Sequence, residues 1–309
     1  YLLALAVFIP ISGWVADRFG ARPTFMTAIA VFLLGSLGCA ASTSLEWMVA
    51  ARFVQGMGGA MMVPVGRLVL LRSVAKAELV RALSWLTIPA LLGPILGPLL
   101  GGLITTYSHW RFIFLINLPI GALGMWLAWR HIPLLKEPVQ PLDWTGFALS
   151  GVGLALTMFG LATLGRHMVN IGLALGCVAV GAVVMGVYLW HARRVAHPLI
   201  DLSLLQLPTY RIGVLGGSVF RIGIGAIPFL LPLMLQLGFG LNPLQSGAIT
   251  FTSAAGAMFM KTLAARILKR YGFRKVMVFN AVAASLMLAT YGFFRPGTPY
   301  LLMVTLLLV

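Results

Sequence analysis

The side chains that could do chemistry in this sequence are cations set inside long apolar runs. Arg52 opens the string Arg52-Phe53-Val54-Gln55-Gly56-Met57-Gly58-Gly59-Ala60, within an apolar stretch over 47–68. Helical spacing puts Arg52, Gln55 and Gly59 on one face. Gly56 and Ala60 continue a small-residue stripe that permits close packing. Arg52 is expected about 9 Å from the outer end of its span, at ~1.5 Å per residue. A positive charge there favours the ionised form of a nearby acid, so Arg52, Gln55 and Gly56 are candidates for proton coupling or for lining a cavity. The competing reading is an arginine that snorkels to the surface. Arg221 lies about ten residues into 212–235, near ~15 Å depth, where a charge costs about 2.5–3.5 kcal/mol on insertion scales. No Asp or Glu in the apolar runs can neutralise it. Arg221, Asn117 and Gln236 are therefore candidates to line a substrate cavity, against plain bonding between helices. Pro228 and Pro232 are expected to break the helix beyond Arg221.

Two further strings bear on movement more than on binding. In Gly13-Trp14-Val15-Ala16-Asp17-Arg18-Phe19-Gly20-Ala21-Arg22 the glycines allow a tight turn. Asp17 offers a negative charge to a helix N-terminus or an arginine, and Arg18 and Arg22 hold the turn on the cytoplasmic side. In Gly93-Pro94-Ile95-Leu96-Gly97-Pro98-Leu99-Leu100-Gly101-Gly102, Gly93, Gly97 and Gly101 repeat every four residues as a smooth ridge. Pro94 and Pro98 bend the helix. No metalloprotease, serine-hydrolase, Walker or Cys/His metal pattern occurs. The sequence thus points to no enzyme, no metal and no cofactor. Cys39 and Cys177 fall in apolar runs as packing residues, and His191 and His197 are expected in a solvated interfacial loop.

These residues must be positioned by membrane helices. Of 309 residues 60% are hydrophobic and 9% charged, against about 25% charged in soluble domains. Eleven apolar segments can be marked: 1–15, 24–42, 47–68, 82–104, 112–130, 144–164, 171–190, 212–235, 244–264, 276–294 and 299–309. Runs of about 20 residues favour an all-α polytopic membrane protein over a barrel. With the 17–23 turn in the cytoplasm, sixteen Lys and Arg fall on that side. Arg111, Arg166 and Arg295 fall outside, and Arg52, Arg221 and Lys261 lie within spans. The net charge of +16 is thus a topology signal and not a nucleic-acid surface. The polar stretches 131–143 and 191–211 suggest an N-terminal bundle over 1–130. Linkers and an inserted pair of spans follow over 131–211, and a second bundle begins over 212–309. Lys269-Arg270-Tyr271-Gly272-Phe273-Arg274-Lys275 repeats the pattern of residues 17–23 weakly, as expected for halves that share a fold.

The strings at 13–22, 52–60 and 93–102, in this order, resemble those of major facilitator transporters. With Trp110-Arg111-Phe112-Ile113-Phe114-Leu115-Ile116-Asn117-Leu118-Pro119 they resemble in particular the drug:proton antiporter branch with fourteen spans. The ten-residue turn departs from that branch's pattern at Trp14, Val15 and Ala21. The resemblance implies a major facilitator helical bundle covering about spans 2–12, cut at both ends, in the bacterial inner membrane. It implies proton-coupled export of drugs or small organic compounds, with Gly93, Gly97, Pro98, Gly101 and Gly102 as the antiporter motif. Protons, a small-molecule substrate, the bilayer and accessory efflux proteins are the implied partners. Family members carry an acid in the first span, which Arg52 would tune. The all-positive embedded charge raises an alternative, export of anionic or metal-chelating carboxylates such as citrate complexes. A non-transporting receptor with the same fold is the other.

Overall fold

The computed structural model describes residues 1–75, 78, 82–83, 93, 96–97, 99–134, 136–164, 169–292 and 294–295, without the side chains at 224, 228, 243, 253–255, 257–258, 261–262, 264–265, 273 and 291. The secondary structure of the described residues is all helix, because helices satisfy every backbone N–H and C=O within one segment in lipid. Two compact units emerge, Tyr1–Leu79 with Arg111–Val214, and Val80–Trp110 with Leu215–Val309.

The first unit opens with α1 (Leu2–Phe8) and α2 (Ser12–Phe19), one broken element bent by 58°. The sequence reads as an apolar segment over 1–15 and then a charged turn. Pro10 instead removes a helical donor at the kink, and the chain remains helical through Asp17 and Arg18. Gly20 alone turns it, with φ 98° and ψ 143°, a region open to glycine and closed to other residues. α3 (Ala21–Ala40) starts at the next residue. α4 (Leu45–Ser73) is capped by the Ser44 side chain, which accepts from the Trp47 backbone N–H. A short α5 (Phe112–Leu115) and α6 (Asn117–His131) follow, then α7 (Trp144–Leu164) and α8 (Ile171–Ala192).

Packing in this unit depends on glycine. A Cβ at Gly35 would overlap the Gln55 backbone, and one at Gly58 would overlap Phe32, so α3 and α4 touch backbone to backbone. α7 and α8 pair in the same way, and α1 lies against both α4 and α7. Many side chains pointing outward along these helices are apolar, such as Leu34 and Val183. That surface suits hydrocarbon rather than water. Arg111 Nη2 donates to the Ser42 carbonyl at 2.8 Å, just beyond the C-terminus of α3, where a cation is favoured.

In the second unit residues 99–107 are helical. α9 (Pro208–Leu233) enters this unit and gives way to a π-helical turn, Met234–Gly238. The expected break at Pro228 and Pro232 does not occur. The backbone remains helical through both and widens only at Met234, since an i→i+5 pattern absorbs the register that a missing proline donor disturbs. α10 (Pro243–Tyr271) begins with a capping box of Asn242 and Gln245. Gly272, φ 80° and ψ 151°, joins it to α11 (Phe273–Tyr291). Leu231, Leu235 and Ile249 form the buried core here.

Six helices of the described residues are long and apolar enough to span a membrane, or seven if the bent α1–α2 pair counts as one span. α10 and α11, over segments 244–264 and 276–294, are not among them. Most of 82–104 and all of 299–309 lie outside the described residues.

Candidate functional site

In the first unit, Arg52 sits at the end of a directed chain of hydrogen bonds. Arg52 Nη1 donates to Gln55 Oε1 at 2.8 Å, and Gln55 Nε2 donates to Ser36 Oγ at 2.7 Å. Asn117 Nδ2 reaches the same hydroxyl at 3.3 Å. The guanidinium lies over the Tyr1 ring at 5.0 Å and over the Phe114 ring at 5.5 Å, a placement that stabilises a cation away from water. Gln55 is 2% exposed and Ser36 0%. Gly56 makes the site possible, since a Cβ there would meet Tyr1 and Ala4 of the facing chain. Arg52 and Gln55 meet as their spacing predicts. Among the described residues no carboxylate pairs with Arg52.

Asn117 thus joins Arg52 and Gln55. In the second unit Gln236 Nε2 bonds to Ser246 Oγ at 3.3 Å. Arg221, also in that unit, is exposed and forms no hydrogen bond or ion pair among the described residues.

At the first glycine turn Asp17 finds the arginine that its charge invites. Arg72 Nη1, in the last turn of α4, lies 2.7 Å from Asp17 Oδ1, with both side chains about one-quarter exposed. Arg18 and Gly13 are exposed, and Arg22 lies over the Trp129 ring at 5.9 Å. Trp14 Nε1 donates to the Gln140 carbonyl at 2.9 Å, and the Glu137 N–H reaches the Asp17 carbonyl at 3.4 Å. The polar stretch after α6 is therefore tied to the turn.

His191 departs from its expected solvated loop. It lies in the last turn of α8, 2.8 Å from Asp143 Oδ1, and the Asp143 side chain is only 4% exposed. Burial pushes the Asp143 carboxyl up. The His191 hydrogen bond and the backbone N–H groups of Gly146 and Leu199 outweigh it and hold the carboxyl below its ordinary value. The Tyr188 hydroxyl accepts from the Ile200 N–H at 3.2 Å and anchors the following segment.

The glycine ridge is only partly visible. Gly93, Gly97, Gly101 and Gly102 are described as helical, whereas Pro94 and Pro98 lie outside the described residues. No described atom lies within 4 Å of where a Cβ would stand at Gly93, Gly97 or Gly101. Sequence reasoning missed Ser36, Arg72 as the partner of Asp17, and the Asp143–His191 pair. The available signal was a serine set deep in an apolar run, at Ser36.

Described residues whose elements are all helical, with a polar cluster buried between spans and glycine-hinged helix pairs, define a polytopic membrane protein. The Major Facilitator Superfamily profile matches residues 1–309, and the chain belongs to that family. It is similar to proteins named "Putative multidrug resistance protein MdtD". The one from Salmonella paratyphi A is 38% identical over 286 residues, covering 93% of this chain and 61% of the relative. That from Escherichia coli O6:H1 is 40% identical over 287 residues, with shares of 93% and 61%. That from Pectobacterium atrosepticum is 40% identical over 294 residues, with shares of 94% and 62%. The chain thus spans about three-fifths of the length of these relatives.

Proposed function

We propose that this chain is part of a proton-coupled antiporter. In the full-length protein it exports drugs or small organic compounds from the cytoplasm across the bacterial inner membrane while protons move inward. The observation that carries the reading is the Arg52 site. A guanidinium is fixed among membrane helices by Gln55, Tyr1 and Phe114, and no described carboxylate neutralises it. A cation so held favours the ionised form of an acid brought near it and opposes its protonation. A transporter can use that difference to couple proton release to a conformational change. The names of the relatives support drugs as the substrate class.

The other site residues take roles in this reading. Gly13, Asp17, Arg18, Gly20 and Arg22 form the turn whose charge pair holds one state. Gly93, Gly97, Pro98, Gly101 and Gly102 provide the smooth surface along which another helix packs as access alternates. Arg221 and Gln236 line the substrate path.

The test is flux from liposomes holding the full-length protein, with a lipophilic cation dye and a carboxylate dye run side by side. Dye movement that an imposed pH gradient drives and a protonophore abolishes is expected for the cation. Flux indifferent to the gradient would overturn coupling, and transport of the carboxylate alone would overturn the substrate class.

A further inference from the structure

The Arg52 chain of hydrogen bonds has a direction, and that direction starts at the arginine. Guanidinium has donors and no acceptor. Gln55 must therefore turn its carbonyl oxygen Oε1 to Arg52, which leaves Nε2 facing Ser36. Ser36 Oγ in turn receives two amide nitrogens, one from Gln55 of α4 and one from Asn117 of α6. Three helices meet at one buried hydroxyl. Were Nε2 of Gln55 to face Arg52, two donors would oppose each other and the arginine would lose its side-chain acceptor.

We propose that Ser36 and Asn117 are positioning residues for Arg52, acting through Gln55, and that neither touches substrate. The inference rests on the reading of Arg52 as the coupling cation. Ser36 accepts from Nε2 of Gln55 and so fixes where that side chain stands, with Oε1 presented to the guanidinium. Asn117 holds Ser36 from the opposite helix. It is the first residue of α6, after the break at Ile116, so the amide sits where α5 and α6 join. A shift of α6 therefore alters the bond to Ser36 and, through Gln55, the aim of Arg52. Asn117 thereby moves from the set of cavity-lining residues to the machinery that aims the arginine.

The two roles separate kinetically. A positioning residue alters turnover by the same factor for every substrate and moves the pH profile. A substrate contact alters KM by an amount that depends on the substrate. Ser36→Ala, Asn117→Ala and Arg52→Gln would be made in the full-length protein, reconstituted at matched protein levels and assayed with two unrelated dyes across a range of internal pH. Ser36→Ala and Asn117→Ala are expected to lower kcat for both dyes equally, by about tenfold. KM should stay unchanged, and the pH profile should shift in the direction Arg52→Gln shifts it. Two variants on different helices guard against a folding defect in either.

Wild-type kinetics in both alanine variants, while Arg52→Gln is impaired, would overturn the inference and leave the coupling reading standing. A dye-dependent KM change at Asn117→Ala would restore that residue to the substrate path and likewise overturn it. Equal loss of folded protein and flux in both variants, with an unmoved pH profile, would reduce the two residues to structural ones. A wild-type pH profile in Arg52→Gln, which removes the charge, would remove the coupling reading itself.

Discussion

At Gly20 and at Gly272 the backbone does the same thing. One glycine, at φ 98° and ψ 143° in the first case and φ 80° and ψ 151° in the second, ends one helix and lets the next begin at the following residue. The surroundings differ. Asp17 stands three residues before Gly20 and is paired with Arg72. Lys269 stands three residues before Gly272, and the nearest aromatic contact is Arg270 over Tyr271 at 5.5 Å. Among the described residues no ion pair forms at the second turn. Neither Val80–Trp110 nor Leu215–Val309 contains an Asp or Glu, so the second unit has no acid with which to build one. Geometry and locking are thus separable: glycine sets the turn, and an acid sets whether the turn is held.

An all-or-none experiment addresses the equivalence first. Arg18 and Arg270 are both exposed, and cysteines placed there should resist a membrane-impermeant reagent added outside intact cells. Ready labelling at one but not the other would put the two turns on opposite sides. Next in size are Gly20→Ala and Gly272→Ala. Each forces a side chain into a region reserved for glycine, at a cost of about 1–3 kcal/mol, and thermal unfolding in detergent should show equal losses. A harmless Gly272→Ala would mean that only the first turn is rigid.

The charge difference gives a smaller effect. Asp17→Asn should cost about 1 kcal/mol, near the upper limit for partly exposed pairs, while Lys269→Gln should be silent. Exchanging the partners, Asp17→Arg with Arg72→Asp, should recover most of the loss in a double-mutant cycle. No recovery would show that the pair is incidental.

Trp14 adds a tie that has no counterpart at the second turn among the described residues, where Arg266 occupies the equivalent position. Trp14→Phe removes the donor to Gln140 and should lower stability by about 0.5–1.5 kcal/mol. Arg266→Gln should leave unfolding unchanged. Smallest is a pH effect confined to the first unit. The Asp143 carboxyl is held below its ordinary value. Its contribution is present in full above the unfolded value of about 3.9 and is lost as pH falls through the lower folded value. Acid titration of unfolding should show that loss, and Asp143→Asn should abolish it. An unaltered acid limb in Asp143→Asn would place the acid sensitivity elsewhere.

Much of this was legible in the sequence. Apolar run length gave the helices, and i, i+3 spacing brought Arg52 to Gln55. Glycine and charge marked the two turns. What stayed hidden depended on partners distant in the chain. Ser36 reads as one polar residue in an apolar run until α4 and α6 bring amides to it. His191 reads as a solvated residue until α7 pairs with α8 and brings Asp143 beside it. Periodicity describes one helix at a time, so contacts between helices lie beyond it. The string 13–22 read as a loop because its charges outweighed its helical spacing, although one glycine suffices for the turn.

The indole of Trp14 has a consequence for how such proteins are inherited. It grips a backbone carbonyl 126 positions away, on the segment that leads from one group of helices into α7 and α8. A main-chain acceptor places no demand on the side chain at 140, so point substitutions there are tolerated. Gaining or losing even one residue between α6 and α7 would withdraw the carbonyl from the ring. Trp14 and the length of that connection therefore form one heritable trait. A chimera that borrows α7 and α8 from a relative must borrow the spacing before them, together with the tryptophan that measures it.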